Sequence, residues 1–99
     1  MRVEKTDDFR DWIDGLKDRL GRARILMRVD RLVHGNPGAH RHLADGISEL
    51  KIDVGPGYRV YFCQRGEALL LLLAGGDKST QSKDIAKAIR LAKAFGERP

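Results

Sequence analysis

The chain has very little cysteine, and this shortage excludes two kinds of site. Cys63 is the single cysteine among 99 residues, so neither an internal disulfide nor a zinc site built from several cysteines can form. Such usage is compatible with a reducing cytosol. Cys63 lies in a strand-like segment with no histidine near it in the sequence, which favours a small buried apolar residue over a nucleophilic thiol.

The sequence also lacks a long apolar run. The longest, ALLLLLA at residues 68–74, is far shorter than the roughly 20 residues that a transmembrane helix needs. The N-terminal stretch MRVEKTDDF has no apolar region typical of a secretory signal. We therefore expect a cytoplasmic protein that does not act in a membrane.

Positive charge is the main bias in the composition. Nineteen Lys and Arg residues against fourteen Asp and Glu leave a net charge of +5 and a pI near 9.7. That balance suits a polyanionic partner such as RNA, DNA or an acidic protein, and it is equally found on surfaces that are only solvated. With 41% hydrophobic and 33% charged residues, the 99 residues are typical of one ordered domain spanning 1–99.

Apolar spacing predicts two helices in the first third of the chain. Thr6 or Asp7 can cap a helix whose apolar residues recur every three or four positions, and Asp18 can cap a second helix that runs to about His34. The apolar stripes should face the core, and these are Phe9, Trp12, Ile13 and Leu16 in the first helix and Leu26, Val29, Leu32 and Val33 in the second. Five arginines of the second helix should lie largely outside, where they are either solvated or part of a binding surface.

The segment HGNPGAHRHLADG, residues 34–46, interrupts all periodicity and predicts a loop. It contains all three histidines, His34, His40 and His42. No carboxylate or thiolate stands at a matching spacing, so we expect solvent-exposed histidines and no metal site.

The second half of the chain predicts a sheet followed by a helix. From Glu49 the pattern alternates, GPG at residues 55–57 supplies a reversal, and YRVYFC forms the return strand. ALLLLLA is apolar on both faces, which indicates a central strand, and Ser79 or Thr80 can cap a final helix. With a weak edge strand in MRVEKT, the predicted fold is α+β, a small antiparallel sheet with element order βααβββα.

Few kinds of chemistry fit these elements. No serine, histidine and acid are arranged as a triad, no phosphate-loop fingerprint occurs, and the helices lack the spacing of a helix-turn-helix. Lys51, Arg59 and Lys78 come from three neighbouring elements and could converge on one phosphate without a metal or cofactor. The alternative is that Lys51 and Arg59 form exposed cross-strand pairs with Asp53 or Glu49.

Two segments carry a resemblance to a known family. LADGISELKIDVGPGYRVYF and LLLLLAGGDKSTQSKDIAKAIRLA, in that order after two helices, resemble the RelE/ParE toxin superfamily, and most closely its HigB-like "addiction module killer protein" branch. The resemblance implies a microbial RNase-like fold with a curved antiparallel sheet. It also implies a toxin held in a hetero-oligomer by a helix-turn-helix antitoxin, HigA-like in this branch. RelE-like members cleave mRNA on the translating ribosome.

The resemblance assigns roles to particular residues. Arg59 of GYR matches the family's strand arginine, Lys51 of ELK the first basic residue of the preceding strand, and Lys78 of GGDKS a basic residue after the central strand. Asp53 stands where RelE-like enzymes carry a second base, and becomes a candidate catalytic residue that could act as a general base. His40 or His42 could supply the same function. The expected RNA-binding residues are Tyr58, Arg59, Lys51, His40, His42 and Lys83.

Two departures from the RelE-like pattern keep other functions open. Asp53 would repel a phosphate, and the region STQSKD lacks the tyrosine that RelE-like enzymes place after the last strand. A ParE-like protein that poisons DNA gyrase by binding would need neither catalytic group. A degenerate toxin that only binds its antitoxin would likewise keep the hairpin for structure alone.

Overall fold

The computed structural model describes residues 2–96, which form five strands and three helices. The strands are β1 (Arg2–Lys5), β2 (His40–His42), β3 (Ile47–Ile52), β4 (Tyr58–Arg65) and β5 (Leu69–Asp77). The helices are α1 (Asp7–Gly15), α2 (Arg19–Val33) and α3 (Gln81–Gly96), with a 3₁₀ turn at Lys78–Thr80 before α3. The sheet order is β1-β5-β4-β3-β2, so the fold class is α+β.

The strand arrangement differs from the predicted one in two ways. A short strand, β2, lies within the segment expected to be a loop and pairs antiparallel with β3. Its three residues are all polar and exposed, so it has none of the alternation by which strands are recognised. The second difference is that β1 pairs parallel with β5, which makes the sheet mixed. Strand direction depends on how the chain returns to the sheet, which periodicity alone does not report.

Local signals placed the helix starts of α1 and α2 correctly. The Thr6 hydroxyl accepts a hydrogen bond from the Phe9 amide at 3.0 Å, and the Asp18 carboxylate accepts one from the Gly21 amide at 3.0 Å. At the final helix the capping group differs from the expected Ser79 or Thr80. Asp77 caps the 3₁₀ turn by accepting from the Ser79 amide at 2.8 Å, and α3 begins only at Gln81.

The sheet has a buried core on each face. Helices α1 and α2 cover one face, where Phe9, Ile25 and Val60 are fully buried. Helix α3 covers the other face, where Ala88 of the helix and Leu73 of β5 belong to the same buried cluster. Strand β5 lies inside the sheet with its leucines buried on both faces, as its uninterrupted apolar run predicted. Cys63 is buried among apolar residues, which confirms the interpretation of that cysteine.

Trp12, which the helical spacing assigned to the core, stays half-buried. Its indole ring lies directly on the backbone of Gly75 in β5, where an added Cβ would overlap the ring. The glycine therefore allows α1 to approach the sheet. Among residues 2–96, no helix has the length and apolar character needed to span a membrane.

Candidate functional site

The β3–β4 hairpin brings the predicted cationic residues together on one face of the sheet. Lys51 of β3 is the cross-strand partner of Arg59 of β4, and Glu49 is the partner of Tyr61. Because side chains alternate along a strand, these four residues share a face, and it is the face that α3 partly covers. The structure therefore brings Lys51 and Arg59 together, and it also places Arg59 near Glu49 and Asp53, the pairing partners of the alternative interpretation.

The Arg59 side chain is more enclosed than the sequence suggested. Only 4% of the residue is exposed. Its Nη1 donates to the Tyr58 carbonyl at 2.9 Å and lies 3.6 Å from the Asp53 carboxylate. Its Nε lies 3.8 Å from Glu49 and, within the described residues, has no hydrogen-bond partner. Arg59 thus keeps one buried donor free between two carboxylates.

Glu49 is the centre of this site, although sequence analysis considered it only as an exposed pairing partner. Its side chain is fully buried, and Oε1 accepts a hydrogen bond from Arg41 Nε at 2.9 Å. Oε2 accepts one from the Gln81 side-chain amide at 2.8 Å. A single buried carboxylate therefore joins β2, β4 and the first residue of α3, and it offsets the charge of two arginines.

Arg41 and Gln81 were missed by sequence analysis for a clear reason. Arg41 lies opposite Glu49 only because β2 pairs with β3, and β2 was not predicted. Gln81 reaches Glu49 from α3 across 32 residues of sequence. The signal that could have drawn attention to Glu49 is an acid inside a strand whose other residues are mostly apolar.

Tyr61 adds a second buried polar atom to the same face. Its hydroxyl is inaccessible and has no hydrogen-bond partner within residues 2–96. Burial, followed by the neighbouring charge of Glu49, raises the pKa of Tyr61 well above its usual value. The phenol therefore stays protonated and can only act as a neutral donor or acceptor.

Asp53 and Lys78 lie at the turn end of the hairpin. The Asp53 side chain is 74% exposed just beyond β3, where it faces Arg59. Lys78 is exposed, its amide donates to the Gly57 carbonyl at 3.1 Å, and its aliphatic stem packs against Gly57. Gly57 has a φ of +81°, and a Cβ there would lie 3.0 Å from Lys78 Cε, so the turn needs glycine at this position.

The remaining predicted RNA-binding residues are not all on this face. Tyr58 precedes Arg59 and so points to the opposite face, where its ring is buried edge-on to Trp12 and its hydroxyl donates to Asp18 at 2.7 Å. His40 and His42 lie opposite Leu50 and Ser48, which also places them on the α2 side.

The two imidazole rings are 5.6 Å apart, and His42 contacts the Ser48 hydroxyl at 2.8 Å. Among the described residues, no three His, Cys, Asp or Glu side chains form a group that could hold a metal. Lys83 is exposed near the start of α3, two residues beyond the Gln81 that contacts Glu49.

The Tyr58–Asp18 hydrogen bond ties the hairpin to the start of α2. Hydrogen bonds from the Gly21 amide and then from the Tyr58 hydroxyl lower the pKa of Asp18. The same bond to Asp18, with burial, raises the pKa of Tyr58 to about 12. A raised tyrosine pKa stabilises the folded state below the unfolded pKa near 10, and this contribution disappears as the pH rises through about 12.

We therefore expect Tyr58→Phe to change how stability depends on alkaline pH. The free energy of unfolding should fall less steeply between pH 10 and 12 in the variant than in the wild type, because the variant has no phenol to ionise. Urea unfolding at a series of pH values measures both slopes. Tyr61 is present in both proteins, so its titration cancels in the comparison. Equal slopes would contradict the assigned hydrogen bond.

Comparison with known proteins agrees with the coarse features of the resemblance. Residues 11–95 match the family described as "Phage derived protein Gp49-like (DUF891)". A protein of Haemophilus influenzae, described as "Uncharacterized protein", is 45% identical over 96 residues, which cover 97% of each chain. The chain therefore belongs to the Gp49-like phage-derived protein family, which is associated with toxins of toxin–antitoxin systems of the RelE/HigB type.

Proposed function

We propose that this protein is the toxin of a type II toxin–antitoxin system and that it cleaves mRNA on the translating ribosome. The observation that carries the proposal is the pairing of Arg59 with Lys51 on one sheet face. Lys78 stands at the turn end of the same hairpin, and Arg41 at its far side. Glu49 offsets part of the charge of Arg41 and Arg59, whereas Lys51 and Lys78 form no ion pair within residues 2–96, and together these cations suit a backbone phosphate.

The proposed reaction needs no group beyond the RNA, side chains and solvent water. The ribose 2′-hydroxyl loses its proton to a base as its oxygen bonds to the neighbouring phosphorus, the bond from phosphorus to the 5′-oxygen breaks, and the leaving oxygen takes a proton from solvent water. Arg59 would stabilise the charge that develops on the phosphate oxygens, since a guanidinium can donate to two of them. Asp53, exposed and next to Arg59, is the candidate base for the 2′-hydroxyl proton.

A phosphate can reach Arg59 only if its contact with Asp53 loosens. That contact is 3.6 Å long and is made by a carboxylate that is 74% exposed, so solvent screening keeps it weak. Loosening it would also free Asp53 to accept a proton. The contact with Glu49, which is buried, would hold the other end of the guanidinium in place.

The proposed partner is a HigA-like helix-turn-helix antitoxin in a cytoplasmic hetero-oligomer. Family membership supports this part of the proposal, together with the net charge of +5, which suits both an acidic protein and RNA.

The second candidate function is a ParE-like protein that binds DNA gyrase without catalysis. The low exposure of Arg59 favours it, because a residue held between Asp53 and Glu49 can serve structure alone. A degenerate toxin that only binds its antitoxin would share this feature.

A short pulse of expression distinguishes the candidates. We expect growth arrest and new transcript ends within reading frames, mapped by sequencing RNA ends, without a DNA damage response. Co-expression of the proposed helix-turn-helix antitoxin should restore growth. A DNA damage response with intact transcripts would favour the gyrase candidate, and unimpaired growth at detectable protein levels would favour the degenerate one.

A further inference from the structure

Helix α2 has an apolar stripe on its outer side that none of the residues 2–96 covers. Leu20, 70% exposed, and Met27, 40% exposed, are the large apolar residues left at the surface among those described. Ala23, also exposed, lies between them, so the three residues recur at intervals of three and four and follow one line along the helix. Leu20, Ala23 and Met27 are called the α2 stripe below.

The α2 stripe lies opposite the side of α2 that packs on the sheet. The buried residues of the helix are Gly21, Ile25, Val29 and Leu32, which fall on the other side of the helical wheel. The stripe is therefore surplus to the fold. Apolar residues spaced alternately three and four positions apart form the contact surface between two packed helices in a coiled coil.

Arginines border the α2 stripe on both sides. Arg24 and Arg31 follow one edge, and Arg19 stands on the other edge, which also carries the exposed Asp30, 3.8 Å from His34. The three arginines are exposed, and within residues 2–96 their side chains form no ion pair. The other two arginines of the helix are engaged. Arg22 donates to the Ile13 carbonyl at 3.1 Å and pairs with Asp14, and Arg28 donates to three backbone carbonyls.

We propose that the α2 stripe docks an amphipathic helix of a partner protein, with apolar residues at matching spacing and acidic residues along its edges. The unpaired arginines supply the charge complementarity, and the aliphatic centre supplies the buried contact. An RNA strand would find charge here but no aromatic surface for its bases. A second copy of this chain would bring arginines against arginines, which opposes a symmetric dimer.

This inference rests on the proposed function in one respect, since the partner it names is the antitoxin. Helix α2 and Arg59 lie on opposite faces of the sheet. Docking on the α2 stripe therefore need not involve the Arg59 surface. Variants of the two surfaces should separate binding of the antitoxin from toxicity.

The test combines Leu20→Asp with Met27→Asp in the full-length chain. Both side chains are exposed, so the double variant should melt close to the wild type. We expect its affinity for the purified helix-turn-helix antitoxin proposed above to fall at least about 100-fold, and growth arrest to persist when the two are co-expressed. Arg24→Glu should weaken binding about tenfold at low salt and less at high salt. Ala86→Asp, on an exposed position of α3, is the matched control and should bind normally.

The outcomes separate this inference from the proposed function. A double variant that is toxic and is neutralised as well as the wild type would overturn docking on the α2 stripe and leave the toxin proposal intact. Loss of ribosome or RNA binding with unchanged antitoxin binding would also overturn it, as would a wild-type dimer in sedimentation that the double variant abolishes. A wild type that never slows growth would count against the toxin proposal, while the affinity measurement would still decide the docking surface.

Discussion

Arg59→Ala is expected to reduce mRNA cleavage by about 10²–10³, the loss seen when one transition-state donor is removed from an enzyme site. The reason is geometric. Strand pairing holds the Arg59 backbone, and the Tyr58 carbonyl and the buried Glu49 hold its guanidinium. In the proposed reaction a phosphate would approach on the side of the exposed Asp53. Cleavage of a defined message on purified ribosomes measures the effect.

Variants at neighbouring positions calibrate this result. Arg59→Lys should recover only part of the activity, because an ammonium group cannot bind two phosphate oxygens in a planar fork. Lys51→Ala and Lys78→Ala should each cost less, since a point charge is partly replaced by its neighbours. Arg31→Ala, a charge removed from the outer side of α2, should cleave at the wild-type rate.

Folding must be measured alongside cleavage, because Arg59 is buried. Arg59→Ala will lose some stability as well as activity, so the assay should be run well below the melting temperature of the variant. A folded Arg59→Ala that cleaves at the wild-type rate would remove the catalytic role of the hairpin. The gyrase-binding candidate would then be the better supported function.

Glu49→Ala is expected to destabilise the fold by about 3–5 kcal/mol, the usual cost of removing one partner from a buried ion pair. Among residues 2–96, Arg59 would keep only the exposed Asp53 as an ion-pair partner, and the side-chain amide of Gln81 would lose its acceptor. Urea unfolding measures the free energy of unfolding. Glu67→Ala, an exposed acid in the β4–β5 turn, is the control and should differ little from the wild type.

A double variant separates charge from packing at Glu49. Replacing a buried ion pair with apolar side chains of similar size is often neutral, so Glu49→Leu combined with Arg59→Met should lose less stability than the two single variants added together. Additive losses would mean that the two side chains do not interact. A Glu49→Ala protein as stable as the wild type would show that the carboxylate is not buried with these partners.

Tyr58 and Arg59 lie on opposite faces of β4, and the sequence already implied this. Adjacent residues of a strand point to opposite faces, so the two could not both line one RNA-binding surface. The register of the hairpin places Lys51 opposite Arg59. The placement of His40 and His42 was out of reach, because it follows from the register of β2, a strand with no apolar residue.

The sequence by itself determined the features that depend on near neighbours along the chain. These are the caps at Thr6 and Asp18, the inward stripes of the helices, the hairpin around Gly55–Gly57 and the doubly buried β5, since each follows from side-chain spacing or local hydrogen bonding. Only the tertiary structure decided the parallel β1, the strand β2 and the burial of Glu49. Strand β1 and the burial of Glu49 depend on contacts between segments far apart in sequence, such as Gln81 with Glu49. Strand β2 pairs with the nearby β3, but its three residues are all polar, so no hydrophobic pattern indicates it.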